Sequence, residues 1–428
     1  MSDLQNDRSQ ESASQHRHRA RHLQQLGRND DALLAYREAL SLDPDNASLL
    51  RSLAHCQMQS KQEKDQARNT IKRSIELAPY DHSSHALQSL IFSNAEDPDQ
   101  AVAPALEAIT LAPEDPLGYA ALSRAHLAAE AWTKAEEAAK QALALDPENT
   151  MAANALTHAL FRQGKQTDNQ VHLSGMLHRD PEDPYTHLSA GLAALQSNNH
   201  ARAEDHFLTA LRLDPDMDAA RKCLLESFRA RSPIYRTYLN LVFYLMRFTR
   251  GRRLQIVIGL LAAMWMLRAT VSVFSQSAGT MVIAFYAVFV VWTHVAKAVG
   301  SLIVFADARA RQAMHRKERL EALMVGGNIV LGSLLLGIGM ILSHTPMTFS
   351  GMMLAGVSIP LALTFSNDHP IGYWLYAGLA LVVLLGLAMV PFNAVMPLPD
   401  PLISSGIVAA MLAFIAAPWL SIFRVLYR

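Results

Sequence analysis

ALSLDPDN at residues 39–46 returns in altered form five times: IELAPYDH (75–82), ITLAPEDP (109–116), LALDPENT (143–150), LHRDPEDP (177–184) and LRLDPDMD (211–218). Each copy holds a proline at the same place, and Pro44, Pro79, Pro113, Pro147, Pro181 and Pro215 stand 35, 34, 34, 34 and 34 residues apart. A 34-residue period is the length of one helix–turn–helix unit, and a chain that repeats it stacks such units into an array. Proline suits the turn between units because it cannot extend the preceding helix and disfavours helical geometry in the residue before it. The acid that follows is expected in the first turn of the next helix, where the dipole favours negative charge.

Aligning the units on their prolines exposes two columns of small residues. Twelve places before the proline stand Ala32, Ala67, Ala101, Ala135, Asn169 and Ala203. Five places before it stand Ala39, Ser74, Ala108, Ala142, Met176 and Ala210. Small side chains there let the two helices of a unit approach closely, while Tyr36, Ile71, Leu173 and Phe207 fill the space between. These columns, with Gly27, Gly164 and Gly191, resemble the tetratricopeptide repeat (TPR). The resemblance implies an all-α solenoid over residues 15–230, made of six repeats and a capping helix at 218–230, whose concave surface takes a protein or peptide partner. Residues 1–14 read as a disordered leader. The fifth unit, with Asn169 and Met176 in place of alanine, reads as a looser one. A basic ring of the kind that clamps a C-terminal carboxylate is not evident.

The formal net charge of zero averages two unlike halves. Residues 251–428 carry 11 Lys+Arg and 5 Asp+Glu, which leaves 27 and 33 before them, a net of −6. A soluble acidic domain joined to a membrane domain explains the split. Six apolar stretches, near 254–274, 280–305, 322–343, 349–366, 371–391 and 403–424, reach the length of about 20 residues that a spanning helix needs. Positive charge sets their orientation. Arg247, Arg250, Arg252 and Arg253 precede the first stretch, and Arg309, Arg311, Arg316, Lys317 and Arg319 follow the second. Arg424 and Arg428 close the chain, whereas the alternate loops SQSAGT, SHTPMTFS and NAVMPLPDPL contain no Lys or Arg. Both termini are therefore expected in the cytoplasm. The polar start MSDLQNDRSQESASQ has no apolar run of a cleavable signal, so the array is expected to stay on the side where it is made.

Residues 231–253 mix Tyr, Phe and Leu with Arg236, Arg247, Arg250, Arg252 and Arg253, and read as a basic amphipathic helix on anionic lipid of the cytoplasmic leaflet. Ionisable groups inside spans are costly, which singles out Arg268, His294 and Lys297. His294 and Lys297, three apart, share one helix face. The two readings for them are a polar patch on a transport path and a set of interhelical hydrogen bonds.

Catalytic signatures are missing: there is no HExxH, no GxxxxGK[ST] and no GxSxG. Cys56 and Cys223 are the only cysteines and lack CxxC spacing, so they read as free buried thiols. His16, His18, His22, His82 and His85 have no companions at metal-binding geometry and read as surface histidines. No catalytic, metal or cofactor residue is assigned. Nucleic acid is disfavoured as a partner because the soluble half is acidic.

The run ARSPIYRTYLNLVFYLMRFTRGRRLQIVIGLL (230–261), followed by ARQAMHRKERLEALMVGGNIVLG (310–332), resembles a group of bacterial membrane proteins with N-terminal TPRs and a C-terminal multi-span domain. That resemblance implies an architecture and an inner-membrane setting and brings no activity with it. The function expected is a non-enzymatic adaptor, its groove in the cytosol and its C-terminal half in the membrane. The rival is a transporter or channel regulated by the array.

Overall fold

The computed structural model describes residues 2–60, 63–94, 98–306, 311, 314–367 and 369–395. Among them there are helices and no strands. The chain divides into two compact units, Met1–Pro181 and Glu182–Arg428.

In the first unit ten helices follow one another in pairs: α1 (Ser2–Gln25) with α2 (Asn29–Leu42), α3 (Ala47–Gln59) with α4 (Gln66–Leu77), α5 (His82–Ser93) with α6 (Val102–Leu111), α7 (Pro116–Ala128) with α8 (Trp132–Leu145), and α9 (Thr150–Gln163) with α10 (Gln166–Arg179). The small-residue columns lie at the contacts. Ala32, Ala67, Ala101 and Ala135 are wholly buried, as are Ala39, Ser74 and Ala142. Serine is tolerated in this column because its hydroxyl donates to the Ala47 carbonyl at 2.8 Å.

The turns work differently from the first-turn expectation. The residue two places after the proline caps the next helix from outside it. Asn46, Asp81, Asp115 and Asn149 each accept from a backbone N–H of that helix's first turn. The short side chain thus acts as a hydrogen-bond acceptor at the cap, which serves amide and acid alike.

Residues 2–14, expected to be irregular, are helical and open α1. No Gly or Pro interrupts residues 2–26, so nothing in the sequence stops a helix there. The fifth pair is the looser one. α10 packs on α9 less extensively than any other second helix of this unit on its partner. Asn169 is wholly buried, and neither atom of its amide has a hydrogen-bond partner.

The second unit opens with the last pair, α11 (Pro184–Gln196) and α12 (His200–Leu213), and the cap α13 (Asp218–Arg229). The sequence places the domain boundary at 230, whereas the last pair and its cap belong to the unit of the apolar helices. The expected helix over 231–253 is two helices, α14 (Pro233–Met246) and α15 (Arg250–Phe274). Thr249 separates them: it is extended, and its side chain caps the first turn of α15. Along α14, Tyr235, Leu239 and Phe243 are buried at helical spacing, and this stripe packs on α16 (Gln276–Ala306).

α17 (Arg316–Glu321) passes through a π-helical turn (Ala322–Gly326) into α18 (Gly327–Ile341), followed by α19 (Thr345–Ser366) and α20 (Pro370–Val395). Such a turn interrupts the regular ladder, and the buried Ser358 hydroxyl of α19 donates to the Val325 carbonyl there at 3.4 Å. α18 and α19 touch at backbone range. A Cβ built on Gly351 would lie 2.3 Å from the Leu336 nitrogen, and one on Gly332 would lie 2.6 Å from the Ala355 nitrogen. Close approach through glycine is the packing that helices use in lipid.

Three helices among the described residues are long and apolar enough to cross a membrane: Gly251–Phe274, Arg316–Ile341 and Pro346–Phe365. Shorter apolar helical stretches lie at Ala296–Ala306 and Pro370–Leu385. The expected stretch at 403–424 lies outside the described residues. Much of α15 is uncovered, with Trp265 59%, Met266 67% and Val273 80% exposed, more contiguous apolar surface than a water-facing helix ordinarily carries.

Two stability outcomes follow from this packing. Asn169→Ala removes an unsatisfied buried amide and restores the small-residue column, so thermal unfolding of the full chain in detergent should show a gain of about 1–3 kcal/mol; a loss would mean that the amide is satisfied. Gly351→Leu forces α18 and α19 apart and should lower the melting temperature, whereas Gly337→Leu, where a Cβ meets nothing within 4 Å, should leave it within the error of the melt.

Candidate functional site

Within Met1–Pro181 the first helices of successive pairs pack on one another: α3 meets α5, α5 meets α7 and α7 meets α9. Successive second helices barely meet. The more tightly packed layer is the inner side of a curved stack, so α3, α5, α7 and α9 supply the inner face.

The densest arrangement of polar and aromatic groups on α7–α9 centres on Trp132, which opens α8 and is 8% exposed. The Arg162 guanidinium lies over the indole, 4.4 Å from its centroid, and the His158 ring meets it edge-on at 6.4 Å. The Trp132 indole N–H has no hydrogen-bond partner. His158 keeps access to solvent, yet burial, followed by the charges of Arg162 and Arg124, holds its imidazole down to about 4. Arg124, on α7, donates to the Asn94 side chain at 3.2 Å.

Glu136, one turn along α8 from Trp132, is buried and accepts from Lys140 at 2.6 Å and from Gln163 and Lys165 at 2.7 Å. Burial alone would raise its pKa. The three donors outweigh it and hold the carboxyl at about 2, so the group is an anchor that ties α8 to the end of α9. Sequence reasoning missed this cluster. Its signal was present: Trp132 is the one tryptophan of the repeat half and stands where the fifth and sixth units have Gln166 and His200.

The residues singled out in the apolar half scatter. Arg268 lies half-buried on α15 with its guanidinium over Trp265, 5.1 Å from the centroid. Lys297 stands 3.9 Å from Glu321, which is itself buried. His294 belongs to α16, but its side chain lies outside the described set. The basic residues 236–253 divide as well. Arg236 donates to the Ala230 carbonyl at 3.2 Å and so closes the end of α13. Arg247 and Arg252 are exposed and Arg253 is half-buried, while the Arg250 side chain lies outside the described set. The six prolines lie in the turns between pairs, and the carbonyls of Pro44 and Pro215 accept from Arg73 at 3.2 Å and Arg221 at 2.9 Å.

The second unit contains a buried ionic junction that the sequence did not announce. Arg229, at the end of the cap, is 2% exposed and donates to Glu226 at 2.6 Å. The Tyr235 hydroxyl donates to the other oxygen of the same carboxylate. Burial opposes the Arg229 charge, but Glu226, Tyr235, Glu321 and Glu318 outweigh it and keep its pKa above the ordinary value. Burial and the Glu226 charge push the Tyr235 phenol up, so it stays a donor. Gly300 of α16 makes room for this group: a Cβ there would lie 3.0 Å from the Tyr235 ring and 3.1 Å from the Arg229 side chain. Leu225 of the cap packs with Val304 and Ala322 in one apolar cluster. Cys223 is half-buried and Cys56 buried. Burial pushes their thiols up to about 12 and about 11, which leaves both without thiolate character.

Comparison with known proteins adds the repeat and little more. Family profiles described as tetratricopeptide repeat match residues 23–91 and 172–237. Both profiles end ahead of α15. Among solved structures, the APC/C hetero-tetramer Cut9–Hcn1 is 18% identical, with 52% of this chain and 44% of that chain covered and a TM-score of 0.45. PilF of Pseudomonas aeruginosa is 18% identical over 50% of this chain and 97% of its own, with a TM-score of 0.40. YrrB, a TPR protein with an unusual peptide-binding site, is 17% identical over 44% of this chain and 95% of its own, with a TM-score of 0.32. The present chain thus spans less than half of the first of these structures. No curated protein matches it. The chain carries TPRs, and these lie at both ends of its helical array.

Proposed function

We propose that this protein is a membrane-anchored TPR adaptor, which holds a protein partner on the inner face of its repeats and keeps that partner at the bilayer. One observation carries the reading: the cap of the repeats is joined to the apolar helices by a buried ionic group, Arg229–Glu226–Tyr235, seated against Gly300. A flexible tether would need no such group. TPR proteins are protein-interaction scaffolds in general.

The finer parts of the proposal rest on charge and length. Six spans are proposed; five of the apolar stretches coincide with α15, α16, α17–α18, α19 and α20. Lysine- and arginine-free alternate loops support cytoplasmic N- and C-termini, and the family resemblance supports a bacterial inner membrane. Because the apolar stripe of α14 is used on α16, lipid contact there is proposed as electrostatic rather than insertive. Exposed Arg247 and Arg252, with Arg250 and Arg253, are its groups, each contributing about 1 kcal/mol near an anionic surface.

Expressed in a bacterium, the full chain should stay in the membrane pellet after carbonate extraction, and protease should reach the repeats in inverted vesicles but not in spheroplasts. Recovery in the soluble fraction would refute anchoring. A photocrosslinking residue at His158, on the inner face, should give discrete protein adducts, and one at Glu137, exposed on α8, should not; equal labelling would refute the groove. The junction has its own test. Glu226→Ala leaves a buried guanidinium uncompensated and should cost about 3–5 kcal/mol in thermal unfolding, and the double variant Glu226→Leu/Arg229→Met should recover most of it.

A further inference from the structure

α10 ends the first compact unit, and it is the least secured helix there. Each of α2, α4, α6 and α8 packs on its own partner and on the first helix of the pair that follows. Within its unit α10 packs appreciably on α9 alone, and less extensively than any other second helix on its partner. Its composition adds to this. Thr167, Asp168, Asn169, Val171, His172, Ser174, Gly175 and His178 are weaker helix formers, eight of its 14 residues, against Trp132 and Thr133 in α8. Gly175 stands mid-helix where a Cβ would meet nothing within 4 Å, so no close approach calls for it. The buried face carries the Asn169 amide, and neither of its polar atoms has a hydrogen-bond partner. Few groups join α10 to α9. Leu173 and Met176 are buried, the His172 ring donates to the Ala153 carbonyl at 3.0 Å, and the Thr157 hydroxyl faces the Met176 sulfur at 3.7 Å. At the far end Arg179, which is exposed, donates to the Pro147 carbonyl.

We propose that α10 is a latch, which opens and recloses as a unit while α1–α9 stay folded. Opening returns a buried amide to water and gives up few apolar contacts, so it needs much less free energy than unfolding the whole unit. The place where opening starts is fixed by groups that do not depend on α10. Gly164 takes the left-handed conformation (φ 71°) that ends α9, and the Lys165 N–H bonds back to the Leu160 carbonyl at 3.0 Å. The Lys165 ammonium is held by the buried Glu136 of α8 at 2.7 Å. α9 is seated from its other side, where Ala155, Leu156 and Leu160 share an apolar cluster with Ala139 of α8. Opening therefore leaves α9 in place, uncovers Ala153 and Thr157, and turns residues 166–181 into slack chain between two compact units. The end of the whole array is built differently, since the cap α13 covers α12, as the terminal helix of a repeat stack requires. The proposal does not rest on the adaptor reading. For an adaptor it means that the link between the first five pairs and the apolar half alternates between a helix and a tether.

Native-state hydrogen exchange of the full chain in detergent, read by mass spectrometry, tests the latch. Amides across 170–179 should exchange together, about a hundredfold or more faster than those across 136–145 in α8, at a rate that barely rises with low denaturant. Gly175→Ala should slow α10 about fivefold, the size expected when one glycine is replaced in a helix interior. Asn169→Ala should slow it about tenfold. Both should leave α8 unchanged. Gly175→Pro, which melts α10 outright, should leave α8 and α9 protected as before. The proposal is overturned by equal protection of α10 and α8, by fast exchange confined to the last turn, or by α10 exchange that follows denaturant in step with α8. Loss of α9 protection in Gly175→Pro, or no response to either alanine substitution, would overturn it too. No partner enters the measurement, so the groove stands or falls separately on its crosslinks.

Discussion

In every repeat but the fifth, two helix backbones come close enough to exclude everything but a methyl or hydroxymethyl group, and that contact underlies the rest of the array. At Ala32, Ala67, Ala101 and Ala135 the side chain is wholly enclosed, so one added methylene would have to push a helix aside. Repeating the contact every 34 residues keeps each pair at the same spacing, and equal spacing lets the first helices form a continuous inner layer. Where the contact is broken, at Asn169, the two helices pack less extensively. The repeats are thus a regular object with one marked irregularity, at the fifth pair.

The apolar helices obey a related constraint. α18 and α19 meet through Gly332 and Gly351, and the cap region meets α16 through Gly300. In each case missing side chains allow backbone or bulky neighbours to touch. The second case differs in what it admits: a buried Arg–Glu–Tyr group rather than another helix backbone. Such a group gives little net stability compared with apolar packing, but it specifies which surfaces meet, because a mismatch leaves a charge without a partner. That property suits a junction that holds a repeat cap to apolar helices.

Much of this was legible without coordinates. The proline period, the two small columns and the cap at 218–230 are local and periodic, and periodic signals survive because every unit reports them independently. The apolar stretches were legible for the same reason, since each is a long run of one kind of side chain. The sites were less so. Trp132 and Arg162 are 30 residues apart in sequence, and Arg229 and Gly300 are 71 apart; their meeting depends on how helices stack, which no local pattern records. The expected juxtamembrane helix failed at Thr249 because capping chemistry overrode the basic-aromatic pattern. Arg236, expected at lipid from its charge, also donates to the carbonyl at the end of α13, a role that its charge alone does not reveal.

By itself the sequence determined a helical repeat array, its small-residue contacts and the chemical division between a charged half and an apolar half. Spacing and composition suffice for these, since each is a property of neighbouring residues along the chain. Only the tertiary structure decided that the last repeat belongs with the apolar helices, that Arg229 is buried against Glu226, and that α3, α5, α7 and α9 form one layer. The physical reason is common to all three: burial and charge pairing are set by which surfaces face one another, and that is settled by packing between helices remote in sequence.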